Sequence, residues 1–225
     1  MQYDFLYERN IHPFGKPWEK WAAMWCSWML SVPKDKNPSL DLTGEHCCIN
    51  QNDENVWFLT GTFGNIIPVK RKCRIPERKA IFFPVLVKED SLAEDSDLLT
   101  ELELIRRSRD AINRVLRMQA TIDGQKVDSL HNYRIQSEVF DLTFPENNVY
   151  GVKPGLTRSV CDGHWLFIKP LPMGKHHICF QGETSLQDVY TLAQLKRMDS
   201  YSPILQNINE NLTFRLEVLY ELTVC

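Results

Sequence analysis

The sequence predicts a mostly-β protein: an antiparallel β-sandwich, of jelly-roll or immunoglobulin-like type, with an N-terminal tryptophan-rich helix and one further helix. Three observations lead there. From Leu212 to Val224, Leu212, Phe214, Leu216, Val218, Tyr220, Leu222 and Val224 alternate with a mostly polar set, the period-two signature of a strand with one buried face. Several short apolar runs are bounded by glycine and proline, as sheet-core strands are. Only two segments carry a strong helical period, and strands do not alternate with helices, so a parallel α/β layout is not expected.

Taken in chain order, Trp18, Trp21, Trp25 and Trp28 fall at steps of three, four and three, with Met24 and Met29 widening the stripe. Pro17 suits the first turn of this helix and Pro33 ends it, within an N-terminal helical segment spanning residues 12–33. Core packing is the favoured reading of this stripe over an aromatic platform for a ligand. Val56–Leu59 and Lys79–Val87 read as strands, with Pro84 placed at an edge or a bulge. Residues 96–118 read as the second helix, within which Thr100 and Glu103 have capping-box spacing. Asp123-Gly124-Gln125 between two short apolar segments signals a hairpin. Tyr133–Phe144 reads as one strand with a bulge. His164–Ile168 and His176–Phe180 read as neighbouring strands joined by a proline-rich turn. Residues 183–211 read as an insertion before the last strand. All 225 residues are expected to fold as a single domain.

Composition narrows the function. The formal net charge of -3 removes the general driving force for counterion release, so no nucleic-acid partner is expected. The local cluster Lys70-Arg71-Lys72 with Arg74 reads as a solvated strand edge. The most apolar early stretch, Ala22–Val32, is too short to span a bilayer. Met1–Asn10 carries Asp4, Glu8 and Arg9 where a leader would turn apolar, so a cytoplasmic location is expected, or export if a native leader has been removed. The seven cysteines include no CxxC pair. In an oxidising compartment, Cys47 with Cys73 is the preferred disulfide, because they flank a segment whose return brings its ends together.

Several of these stretches together resemble a group of uncharacterised bacterial and archaeal proteins. They are Phe14-Gly15-Lys16 before the tryptophan helix, Ser31–Pro38, Val56–Gly64, Lys79–Val85, Asp162-Gly163-His164-Trp165 and Lys169–His176. The resemblance spans nearly the whole chain outside residues 183–211. It implies no established activity. Similar proteins carry a secretory leader and a cysteine pair matching Cys47 and Cys73, and often have His where Cys179 stands; this chain departs from them at the leader and at that position.

The most chemical-looking stretch is His176-His177-Ile178-Cys179. On a strand, His177 and Cys179 share one face, and His164, or His46 with Cys47, would complete a zinc or copper site. A buried cysteine and an exposed histidine are the plainer reading. A cupin centre lacks its HxH pair. Cys161 beside Asp162-Gly163-His164 is a local coincidence rather than an aimed nucleophile and base. No GxSxG elbow, Walker loop or dinucleotide fingerprint occurs. The leading expectation is therefore a non-catalytic binding or interaction protein with no cofactor. Its contacts would lie beside Trp57, Trp165 or the tryptophan-rich helix, and its partner would be a small ligand, another protein or a second copy in a homo-oligomer. The alternative is a zinc- or copper-dependent enzyme using His164, His176, His177 and Cys179.

Overall fold

The computed structural model describes residues 5–64, 67–94, 100–187 and 212–225. Helix α1 runs Trp18–Ser31 behind a 3-10 turn at Pro13–Gly15, with Pro17 as its N-cap and Glu19 in the first turn. Its fourteen residues include no β-branched side chain, so none loses rotamer freedom against the preceding turn. It stops at Val32, held extended (φ -83°, ψ 127°) by the following proline. Helix α2, Glu101–Ile112, opens with the predicted capping box: Thr100 Oγ1 accepts from Glu103 N, and Glu103 Oε2 accepts from Thr100 N at 2.7 Å.

Among the described residues, ten strands form two five-stranded sheets. The first contains β1 (Val56–Phe58), β3 (Ala80–Ser91), β8 (Gly155–Ile168), β6 (Arg134–Gln136) and β7 (Phe140–Phe144), with β6 and β7 sharing one side of β8. In the second sheet the order is β2 (Val69–Ile75), β10 (Thr213–Val224), β9 (Gly174–Ser185), β4 (Val115–Ile122) and β5 (Gln125–Lys126). The protein is thus mostly β with two helices. The strands are not all antiparallel, because β1 pairs parallel with β3 and β2 with β10. The chain leaves β1 for β2 in the opposite sheet before returning as β3, and that excursion lets β1 and β3 run the same way.

Strand β3 is buried on both faces. Its Ile81, Phe83 and Val85 join Ile178, Phe180, Val218 and Tyr220 of the second sheet in one apolar cluster, with the Phe83 and Phe180 rings 4.8 Å apart. On the other side, Phe82 with Trp165 and Phe167 of β8 meets the indoles of α1 in a second cluster. Pro84 sits where predicted, beside the register shift between Pro84 and Leu86 that breaks the β3–β8 ladder. That bulge drives Leu86 toward β9: a Cβ on Gly182 would fall 2.2 Å from Leu86 Cγ. The hairpin at Asp123-Gly124 has both φ positive (49° and 77°), the geometry a two-residue turn with that sequence favours.

Four sequence expectations are corrected. The second helix ends at Ile112; β-branched Val115 begins β4, paired with Thr184, and Leu116 is left 62% exposed rather than continuing an apolar stripe. Tyr133–Phe144 is two strands. Between them Ser137 N donates to Cys161 O (2.8 Å), and Ser137 Oγ accepts from Cys161 N (3.0 Å), so a serine stitch replaces the expected bulge. His164–Ile168 and His176–Phe180 lie in different sheets, and the proline-rich link carries the chain between them. Of the expected insertion, Glu183–Ser185 still belong to β9, while residues 188–211 and the start of the expected second helix, 96–99, lie outside the described residues.

Edge strand β2 alternates Lys70, Lys72 and Arg74 outward with Val69, Arg71, Cys73 and Ile75 inward. Arg71 is 1% exposed, which the edge reading of the basic cluster did not anticipate. Its guanidinium donates to the carbonyls of Ser39, Asp41, Thr60 and Gly61 and to Tyr220 Oη at 2.7–3.3 Å. No carboxylate is among these acceptors. The sheet-to-sheet contact can be tested directly. Gly182→Ala should lower unfolding free energy by about 1–3 kcal/mol, because Leu86 must move. Urea denaturation reads this, and wild-type stability in the variant would show that the two sheets do not press together there.

Candidate ligand cleft along helix α1

The indoles occupy one side of α1. The opposite side, Glu19, Lys20, Ala23, Met24, Ser27 and Ser31, forms the floor of a cleft of about 1160 Å³. One wall is Asn50, Asn52, Asp53 and Phe58, and the other is Glu138–Asp141 with Thr143 and Arg158. Trp28 closes the floor against Phe58, ring centres 5.5 Å apart, and anchors it by donating its indole N–H to Ile49 O at 2.8 Å.

The walls are built from local hydrogen bonding. Asp53 Oδ1 accepts from Asn55 N and Val56 N, an Asx-type turn leading into β1. Gln51 lies against β1, its Oε1 accepting from Phe58 N (2.9 Å) and its Nε2 donating to Phe58 O (2.8 Å). Across the cleft, Arg158 is held by Glu101 (2.8 Å) and Asp141 (2.7 Å), and the hydrogen bonds it donates to Asp141 and then Glu101 make the guanidinium hold its proton more firmly still. Burial alone would raise the Glu19 carboxyl, but the hydrogen bond and charge of Arg9, 2.7 Å away, bring it below its usual range. Ala23, Met24, Trp28, Phe58 and Phe140 give the cleft apolar contact surface, and no histidine or cysteine is among the described residues that line it.

The residues singled out for a metal do not converge. His164, on β8, is 5% exposed; its Nδ1 has no hydrogen-bond partner, and burial, then the charges of Arg134 and His131, push its pKa down to about 4. His176 is on β9, with Nδ1 2.7 Å from Asp123 Oδ2 and Nε2 2.8 Å from Pro172 O, so both ring nitrogens are engaged in tying the hairpin to the proline-rich link. His177 and Cys179 do share one face of β9. His177 is exposed, and burial followed by the charge of Glu217 raises the half-buried Cys179 thiol. Among the described residues no three His, Cys, Asp or Glu side chains are grouped to hold a metal ion. Cys47 and Cys73 are joined as a disulfide, Cα atoms 6.2 Å apart, which occupies the Cys47 sulfur. Trp57 (5% exposed) and Trp165 (0%), singled out as ligand contacts, are buried in the core. Trp165 stacks on Phe82 at 5.1 Å, with its plane tilted only 6°.

Sequence reading missed a buried acidic group at the end of β3. Asp90 forms ion pairs with Lys88 and Arg107, each at 2.9 Å. Glu89 Oε1 accepts from Ser159 Oγ, and Oε2 has no partner. Burial, reinforced by the negative charge of Glu94, holds the Glu89 carboxyl well above the ordinary carboxylate range. The signal available was the length of β3: it outlasts its apolar run by four residues, Lys88–Ser91, which must stay paired with β8.

No family model and no curated protein matches this chain. Among solved structures, a chain in the "Structure of PbICP-C in complex with falcipain-2" is similar at 12% identity, covering 75% of this chain and 98% of that one. Its TM-score is 0.22, too low for the likeness to bear on fold or function. Among the described residues no helix is long and apolar enough to cross a membrane.

The pKa of His164 sets a direction for acid sensitivity. Its folded value lies below the ordinary 6.5, so the unfolded chain takes up a proton first as pH falls. Stability present above pH 6.5 should be lost progressively and be gone by about pH 4, a total of roughly 3 kcal/mol. Urea melts across that window should be flatter in His164→Leu than in the wild type; equal slopes would remove His164 as the source.

Proposed function

We propose that this chain is a non-catalytic binding protein whose recognition surface is the cleft along α1. The observation that carries the reading is a concave surface in which the apolar side chains of Ala23, Met24, Trp28, Phe58 and Phe140 lie among polar and charged ones, the mixed chemistry of a ligand site. Among its described charged residues, Glu19 is paired with Arg9, and Arg158 with Glu101 and Asp141. Among the described residues that line it, no histidine or cysteine stands beside these carboxylates to serve as base or activated nucleophile. The frame behind it we read as a two-sheet sandwich, of jelly-roll or immunoglobulin-like type, folding as one domain. The Phe83–Phe180 contact and the fit of Leu86 over Gly182 support that reading.

The test is a fragment-library titration followed by proton–nitrogen NMR. Shifts should cluster on Lys20, Ala23, Met24, Ser27, Asn50–Asp53 and Glu138–Thr143. Ser27→Trp fills the cleft from a partly exposed helical position, so the protein should keep its melting temperature and lose those shifts. Hits that all map elsewhere, or that persist unchanged in Ser27→Trp, would overturn the assignment.

A further inference from the structure

Resting on that cleft reading, we propose that its occupant is an extended polypeptide segment that adds to the first sheet as a strand along β7, with apolar and basic side chains in alternation. The argument begins with the sheet edges. An unpaired edge exposes a row of N–H and C=O groups that can template pairing with another chain, and proteins usually cover it. Four of the five edge strands here are covered or short. On β1, the Gln51 side chain satisfies both Phe58 N and Phe58 O. On β2, Thr43 O accepts from Lys72 N at 2.8 Å, and Gly44 packs so closely that a Cβ would lie 2.2 Å from Lys72 O. Strand β5 has two residues and β6 three. Strand β7 has five; among the described residues it pairs only with β8, and no loop backbone or side chain bonds to the backbone of Phe140–Phe144.

That open edge coincides with the cleft. Phe140, Asp141 and Thr143 line it, and Glu138 and Val139 continue the wall. Strand alternation then dictates what a neighbouring segment must present. Leu142 and Phe144, with Phe140 packed against them, face the α1 cluster. Side chains added beside them meet Ala23 and Met24 and should be apolar. Asp141, paired with Arg158, and Thr143 are exposed on the opposite face, where the next side chain of the segment should be polar, and the Glu138 carboxylate before them favours a cation there. The lining as a whole agrees: Glu19 and Asp141 are already paired with Arg9 and Arg158, and the carboxylates of Asp53 and Glu138 then stand against the single remaining cation Lys20 among the described lining residues. Main-chain pairing would supply affinity and the alternating pockets selectivity, the division of labour seen when peptides extend sheets.

The probe is an end-capped heptapeptide alternating valine and lysine, with two companions: one N-methylated at alternate amides and one carrying glutamate for lysine. The parent peptide should shift the NMR signals of the α1 face and slow amide exchange within Phe140–Phe144. N-methylation should weaken it by roughly tenfold or more, since strand hydrogen bonds are lost. The glutamate version should bind worst, and Glu138→Lys should weaken the parent severalfold. Equal binding of the methylated and parent peptides, or unchanged exchange along β7, would overturn strand addition. Fragments that bind the cleft while no peptide does would sink this proposal and leave the cleft reading standing. If neither fragments nor peptides perturb the cleft, both fall.

Discussion

Four indoles on one side of a single helix impose the constraint from which the rest of this molecule follows. Each ring needs an apolar bed, and each N–H, once buried, needs an acceptor. The bed is the face of the first sheet carrying Phe58, Phe82, Trp165 and Phe167. The acceptors are the carbonyls of Ile11, Pro13, Leu59 and Ile49, four positions in the flanking loops. Placing α1 therefore also places the chain before it and the segments on either side of β1. Because that face of the helix is committed inward, the remaining face is left as the floor between two walls. The cleft is a by-product of how the tryptophans are satisfied.

Arg71 plays a comparable part at the other end of the β1–β2 connection. A buried guanidinium with no carboxylate partner is costly unless its N–H groups all find acceptors. Here the acceptors are main-chain carbonyls from Ser39–Asp41 and Thr60–Gly61, plus the Tyr220 hydroxyl, whose own proton goes to Thr60 O. These loops are drawn onto β2 and β10 from both sides. The Cys47–Cys73 bond fastens the same corner covalently. The edge of β2 is consequently closed by its own chain, which is why the open edge on the opposite sheet stands out.

Features encoded within a few residues were legible in the sequence. The indole spacing gave α1, Thr100 with Glu103 gave the capping box of α2 although the helix reads from Ser96 in the sequence, Asp123-Gly124 gave the hairpin, and the last strand's alternation gave its buried face. What depends on distant partners was not. Nothing local to Val56–Phe58 says that it runs parallel to Ala80–Phe82, and only pairing with Thr184 decides that Val115 leaves the helix. His164 and the His176–Cys179 stretch are close in sequence yet separated by a crossover between sheets, so a ligand set read from proximity along the chain dissolves. The cleft was half legible. The tryptophan helix was named as a place for contacts, but the acidic rim comes from Asp53 and Glu138, whose meeting no spacing rule foretells. Trp57 and Trp165 illustrate the converse, since a large aromatic in an apolar run is core unless something else holds it out.

The indole assembly also has an optical consequence. Trp165 lies 5.4 Å from Trp25, which lies 6.3 Å from Trp28, the ring at the cleft floor. At such separations excitation hops between rings faster than it is emitted, so light absorbed deep in the core drains in part toward Trp28. An event that quenches that single ring would dim the intrinsic fluorescence by more than its own share, making the hydrophobic centre an antenna for the surface it supports.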